Sequence, residues 1–253
     1  MRIIASMVLK NEADRYLRAM LQHNHVWWDD LFVYDDQSTD NSVEIAMEYT
    51  DHVVIRGDDK PSFLDHEGEF RANALKALEL HMSPDEDTWI FAIDADEFLV
   101  DYRDDLSTSV LLRATAVMAE KLGHSSVDLR IPEFWHMNGN IPFCRTDGFW
   151  DGMSLPRFFK YRKNWAFRGK SMGAGSGPIY TYDNPYMERS NLQLIHVGYV
   201  DPKDRQAKYD RYTSLPNHGH NHKHILSIIE DPELRPYGGP YFRFWKGELW
   251  PSQ

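Results

Sequence analysis

The stretch "WIFAIDADEFLV", Trp89 to Val100, opens with five apolar or small side chains and then sets three carboxylates, Asp94, Asp96 and Glu97, at one point. An unbroken apolar run of this length reads as a strand buried on both faces, the kind that parallel sheets contain. Carboxylates crowded at the end of such a strand are costly unless something positive sits among them. What surrounds the run decides which sheet it belongs to and what the positive partner is.

Working outward, segments of strand period and helix period alternate through the first half of the chain. Residues Arg2 to Leu9 read as a buried strand, and Ala13, Leu17, Met20 and Leu21 recur at helical spacing after it. "DLFVYDD" gives a second strand. "STDNSVEIAMEY" starts a helix, with Asn41 or a neighbour as cap and Glu44 three residues further on. "HVVIR" is a third strand, Phe70, Ala74, Ala77 and Leu78 mark another helix face, and "TWIFAI" is the fourth strand. This alternation predicts a parallel sheet with helices on both faces. Beyond Gly123 the regularity fades into short strand-like pieces, "SVDLRIP", "LPRFFKY" and "LQLIHVGY". The expected organisation is one α/β domain over residues 1–200. Residues 201–253 should form a C-terminal helical appendage carrying "PKDRQAKYDRYTSL" and "HKHILSIIE".

Composition narrows the function. The 253 residues suffice for a substantial core, and 8 Trp with 13 each of Tyr and Phe argue against long disordered tracts. A formal net charge of −11 gives no general pull toward nucleic acid or anionic membrane, although "RFFKYRKNWAFRGK" is locally cationic. The one cysteine, Cys144, has no internal disulfide partner, which points to a reducing cytoplasm. No apolar run reaches the eighteen residues of a membrane span, and the N-terminal run is too short for a signal peptide.

In a doubly wound sheet the ligand lies beyond the carboxyl ends of the strands, where strand order reverses; in the common order that is between the first and fourth strands. Three polar clusters fall there: Lys10, Asn11 and Glu12 after the first strand, Asp35 and Asp36 after the second, and Asp94 to Glu97 after the fourth. Turn and cap chemistry accounts for part of "DDQSTDNS", but not for three clusters at one edge. Two carboxylates one residue apart suit a hard divalent cation, with diphosphate and water as its other ligands.

Taken in order, "SMVLKNE", "FVYDDQSTDNS", "FRANALKALE" and "FAIDADEF" resemble the family-2 glycosyltransferases of GT-A fold, over roughly residues 1–100 and more weakly to about 200. The resemblance implies a Rossmann-like, mixed but mainly parallel sheet. It also implies transfer of a sugar from a nucleotide diphosphate donor, often a UDP-sugar, to an acceptor hydroxyl with inversion. By the same resemblance Asp36 binds the base with Arg71 nearby, and Lys10, Asn11 and Glu12 belong to the donor site. Asp94 and Asp96 are the Asp-X-Asp that holds ribose and metal, and His196 completes a site for Mn²⁺ or Mg²⁺.

Transfer also needs a carboxylate that deprotonates the acceptor. The Glu-Asp pair that usually opens a helix in the second half of such enzymes is missing here. Asp151 in "GFWDGMSLPR" is the first candidate base and Glu133 in "RIPEFWHMNG" the second. Three further stretches invite function. "RGKSMGAGSG" is glycine-rich and basic, like a phosphate-covering loop or a flexible linker. "HGHNHKH" sets His218, His220, His222 and His224 at alternate positions, and reads as a solvated or acceptor-facing loop. Trp and Tyr around "EFWHMNG", "GFWDG" and "KNWAF" suit stacking on a sugar or a place in the core. The rival readings are a non-catalytic nucleotide-sugar or carbohydrate-binding module, and a phosphotransferase of the haloacid-dehalogenase type. In the latter the motif follows the first strand, with Thr or Val where this chain has Phe98.

Overall fold

The computed structural model describes residues 1–64, 66–101, 108–139, 141–150, 153–167, 177–187, 192–214 and 222–238. In chain order the elements are β1 (Arg2–Leu9), α1 (Leu17–Asn24), β2 (Asp30–Asp35), α2 (Ser42–Met47), β3 (Val53–Ile55), α3 (Glu67–Met82), β4 (Thr88–Asp94) and β5 (Glu97–Asp101). They continue through α4 (Thr108–Lys121), β6 (Ser126–Arg130), β7 (Phe134–Asn138), β8 (Ile141–Arg145), β9 (Ser154–Lys160), β10 (Tyr186–Met187) and β11 (Leu192–His196). The last are α5 (Pro202–Ser214), α6 (His222–Ser227) and β12 (Leu234–Pro236).

The main sheet runs β3-β2-β1-β4-β9-β6-β11-β5, with β10 beside β6. Strands β1 to β4 are mutually parallel, β6, β10 and β11 share their direction, and only β9 and β5 run against it. This is a mixed, mainly parallel, Rossmann-like sheet of GT-A type, and strand order reverses between β1 and β4 as expected. Apolar residues alternate between its faces. Ile3, Ala5, Met7, Trp89, Phe91 and Ile93 pack with α1, α2 and α4, whereas Ile4, Ile90 and Ala92 pack with Phe70, Ala74 and Leu78 of α3. Burial on both faces explains why β1 and β4 read as continuous apolar runs.

The sequence does not announce β5. It begins two residues after β4 ends, yet pairs antiparallel with β11 at the far edge of the sheet. Four strand spacings in a flat sheet are about 19 Å, while the three peptide links from Asp94 to Glu97 reach about 10 Å. The sheet must therefore curl, and the curl brings the end of β11 to the end of β4. His196 pairs with Glu97, and the Val197 amide donates to the Asp96 carbonyl at 3.0 Å.

The C-terminal part is helical in α5 and α6 but also contributes β12, which joins β8 and β7 in a second, three-stranded sheet. Among the described residues no helix is long and apolar enough to cross a membrane.

Candidate active site

The ends of β1, β2, β4 and β11, the start of α3 and one face of α5 enclose a cleft of about 320 Å³, within the range of small-molecule sites. Lys10, Glu12, Asp36, Arg71, Asp94, Asp96 and His196 line it together with Arg15, Phe63, Tyr199, Lys208, Arg211 and Tyr212.

The loops after β1 and β2 are built by their own polar side chains. Asp35, fully buried, accepts from the Ser38 amide at 2.8 Å and hydroxyl at 2.5 Å, and Asp40 accepts from the amides of Ala13 and Ser42. These are the turn residues of "DDQSTDNS". Asn11 also serves structure: it adopts a left-handed backbone (φ 51°), and its side-chain oxygen accepts from the Thr39 amide at 2.8 Å. It ties the two loops together and does not line the cleft, contrary to its expected place in the donor site. Asp36 does face the cleft, with Arg56 Nε at 2.5 Å on one oxygen and the Phe63 amide at 3.2 Å on the other. Lys10 Nζ holds the carbonyls of Asp36 and Gln37.

Asp94 and Asp96, expected to share one ion, belong to different charge groups. Asp94 faces Arg157 at 3.0 Å and Arg71 at 3.9 Å. Burial raises its pKa, but Arg157 and Arg71 outweigh this and hold it below the usual value. Asp96 Oδ2 faces His196 Nε2 at 3.3 Å, Lys208 Nζ at 3.5 Å and Arg15 at 3.9 Å. Burial opposes its ionisation too, and His196 with Lys208 overrides burial and holds it well below the usual range. The backbone turn between β4 and β5 causes the divergence, since residues two apart share a side only while a strand continues.

Glu133, the second candidate base, lies behind His196. It is 2% exposed, does not line the cleft, and accepts from His196 Nδ1 at 2.5 Å. Burial works against the imidazolium, but Glu133 and Asp96 raise the His196 pKa to about 10. A carboxylate on Nδ1 aims Nε2 at Asp96, which is how metal-binding histidines are oriented. Gly198 keeps this corner open, because a Cβ there would overlap Asp96 Oδ2, Lys208 Nζ and His196 Nε2. Asp96 and His196 therefore fit as two ligands of a divalent ion, while Asp94, in the same cleft, is engaged by Arg157 and Arg71. Among the described residues no group of three His, Cys, Asp or Glu converges on a metal position, so diphosphate and water would complete the shell, as is usual for Mg²⁺. Asp151, the first candidate base, lies outside the described residues, as do 168–176 of the glycine-rich stretch and His218 and His220.

Several site residues were not singled out from sequence. Arg15 is fixed by Glu12 at 2.6 Å and Asp204 at 3.0 Å. Burial and then Asp96 push the Glu12 carboxyl up to about 7, against Arg15. Arg157, buried mid-strand in β9, carried a readable signal: a charge inside "LPRFFK". Within the described part of the cationic run, Lys160 pairs with Glu120 at 2.9 Å and Arg162 lies over the Tyr180 ring.

The fold and site define a Rossmann-like α/β architecture with a crevice of mixed charge, bordered by His196, at its switch point. No protein-family model matches the sequence, and no curated protein matches it. Among solved structures, residues 1–349 of S. aureus TarS align with 90% of this chain and 69% of that one, at 14% identity and TM-score 0.47. Against the longer TarS structure the aligned part is 42% of that chain, at the same identity and TM-score. Glucosyl-3-phosphoglycerate synthase from Mycobacterium tuberculosis, in complex with Mn²⁺ and UDP-glucose, aligns over 55% of this chain and 44% of its own, at 19% identity and TM-score 0.32.

Proposed function

We propose that the protein is a glycosyltransferase that moves a sugar from a nucleotide diphosphate donor, a UDP-sugar in the first instance, to an acceptor hydroxyl with inversion. One observation carries this reading: Asp36, Asp96 and His196, the last held from behind by Glu133, come together at a single cleft at the β1–β4 switch point. In this reading Asp36 receives the base, with Phe63 beside it. Asp94 and Arg71 take the ribose and the near phosphate, and Lys10 and Glu12 close the donor side. Asp96 and His196 hold Mn²⁺ or Mg²⁺, which supplies charge neutralisation for the departing nucleoside diphosphate. Glu133 keeps His196 in the binding orientation. The cleft walls align acceptor oxygen and anomeric carbon for in-line attack, a positional contribution worth several kcal/mol in such reactions. Asp151 is the proposed base, on its sequence position alone; Glu133 is too enclosed to meet an acceptor. The single buried Cys144 suits a reducing cytoplasm.

The test is UDP release from UDP-sugars with Mn²⁺ across candidate acceptors. Turnover is expected in the parent and loss of it in Asp96→Asn with unfolding temperature retained, because a neutral amide binds hard cations poorly. Tight UDP binding without turnover would assign a binding module instead. Near-normal turnover of Asp96→Asn at saturating Mn²⁺ would remove the metal role.

A further inference from the structure

Helix α5 has no fully buried residue along its thirteen positions; Tyr209 and Tyr212 pack, partly buried, against the cluster of Trp135, Trp150, Tyr199 and Ile228. Polar contacts fix its orientation. Arg205 donates to the carbonyls of Trp135 at 2.9 Å, Tyr199 at 2.5 Å and Val200 at 3.1 Å, and Asp204 pairs with Arg15. These contacts turn Asp204, Lys208, Arg211 and Tyr212 to one side, Lys208 lying four residues after Asp204, and Arg211 and Tyr212 three and four after Lys208. Lys208, Arg211 and Tyr212 line the cleft beside Asp96.

The cations of the cleft are not equally committed. Arg15 is gripped by Glu12 and Asp204, Arg71 by Glu67 at 2.9 Å, and Lys10 by two carbonyls. Among the described residues Lys208 pairs only with Asp96, at 3.5 Å, while its ammonium lies 4.2 Å from the centre of the Tyr199 ring. Arg211 stacks on Tyr212 at 5.4 Å and has no carboxylate within ion-pair distance among the described residues. The cleft is lined by five Lys or Arg and five Asp or Glu. A bound polyanion therefore draws on whichever cations are least engaged.

We propose that α5 supplies part of the diphosphate site, with Lys208 and Arg211 contacting the phosphates of a bound nucleoside diphosphate and staying on them as the nucleotide leaves. With Asp96 and His196 engaged by a divalent ion, Lys208 would be free of that carboxylate and its ammonium would be available to a phosphate oxygen. Arg211, one turn further along, offers the forked guanidinium that phosphate recognition favours. Donors fixed before reaction, aimed at charge that develops on the leaving group, are an effective source of rate. This inference rests on the nucleotide-diphosphate reading of the cleft and adds to it a second binding element from the C-terminal part.

The experiment is calorimetry of UDP and uridine with the full chain, in EDTA and with Mn²⁺, for the parent, Lys208→Gln/Arg211→Gln and the single Arg211→Gln. The double variant is expected to lose at least tenfold in UDP affinity in both buffers, with uridine affinity within twofold of the parent. The single variant, altered only at an exposed side chain, is expected to lose about threefold for UDP. Retained uridine binding certifies the fold. UDP affinity within twofold of the parent in the double variant overturns the inference and leaves the glycosyltransferase reading standing, with Arg211 then open to an anionic acceptor. Failure of the parent to bind UDP at all overturns both.

Discussion

Replacing Arg157 by Met tests whether the charge group under Asp94 is held together as described. The side chain is 6% exposed on β9, and its NH2 donates to Asp94 at 3.0 Å and to Glu97, itself 2% exposed. Met keeps the length and apolar bulk while removing the only ion-pair partner of Glu97 among the described residues. Breaking one side of a buried pair costs about 3–5 kcal/mol. The low end is expected, because Arg157 Nε and NH1 have no hydrogen-bond partner among the described residues and their loss relieves part of the cost. The loss should depend on pH. Burial raises the Glu97 pKa from 4.5 to about 7, against Arg157. A raised folded-state pKa gives stability that is full below the unfolded value of 4.5 and is lost as pH climbs through about 7. Without Arg157 the carboxyl rises further, so the variant keeps losing stability above pH 7, about tenfold in the folding equilibrium per pH unit, where the parent has levelled off. Urea unfolding followed by tryptophan fluorescence at pH 5.5 and pH 8 reads both effects. A loss below about 1 kcal/mol at pH 8, or a gap between parent and variant that does not widen from pH 5.5 to 8, would refute the argument.

Asp36→Ala is expected to raise the dissociation constant of the donor nucleotide at least tenfold while leaving acceptor affinity unchanged; equal uridine affinity by calorimetry would remove Asp36 from the base site. Glu133→Gln should raise the Mn²⁺ concentration for half-maximal UDP binding ten- to a hundredfold, the usual effect of losing an outer carboxylate on a metal-bound histidine, with turnover recovered at high Mn²⁺. Turnover that stays abolished at saturating Mn²⁺ would instead return Glu133 to the role of base.

The parallel half of the fold was legible because each of its strands carries its own signature. β1, β2 and β4 are apolar on both faces and are followed at once by helix-period segments, so local pattern and topology agree. Asp36, Asp96 and His196 drew attention for a related reason, each lying at the end of an apolar strand or within two residues of it. What the sequence hid depends on tertiary closure. "EFLV" reads as the tail of the preceding strand, and nothing within it says that it turns, crosses the curled sheet and pairs with "LQLIH" about a hundred residues later. Glu133 was visible only as a carboxylate in a motif-free stretch; its meaning comes from a single bridge to His196. Arg15, Lys208 and Arg211 lie on helical segments whose charges look like solvated faces until the cleft is assembled.

The turn between β4 and β5 also explains why an Asp-X-Asp motif yields two unlike carboxylates. Had the strand continued, Asp94 and Asp96 would point to one side and compete for one ion. Because the backbone turns at Ala95 and Asp96, Asp94 stays with the guanidiniums of β9 and α3, while Asp96 swings to β11 and α5. Two guanidiniums on Asp94 make a rigid, already neutralised group, suited to hydrogen-bonding sugar hydroxyls. The partners of Asp96 are of another kind: a histidine held by Glu133, an ammonium on a helix with no fully buried residue, and a more distant guanidinium. Such partners exchange more readily for a divalent ion and a phosphate than a buried fork does, since less desolvated charge is left unpaired when they move. In the proposed reading the motif would divide its labour between a fixed anchor and an exchangeable site, and the curl of the sheet is what allows one short turn to reach both charge groups.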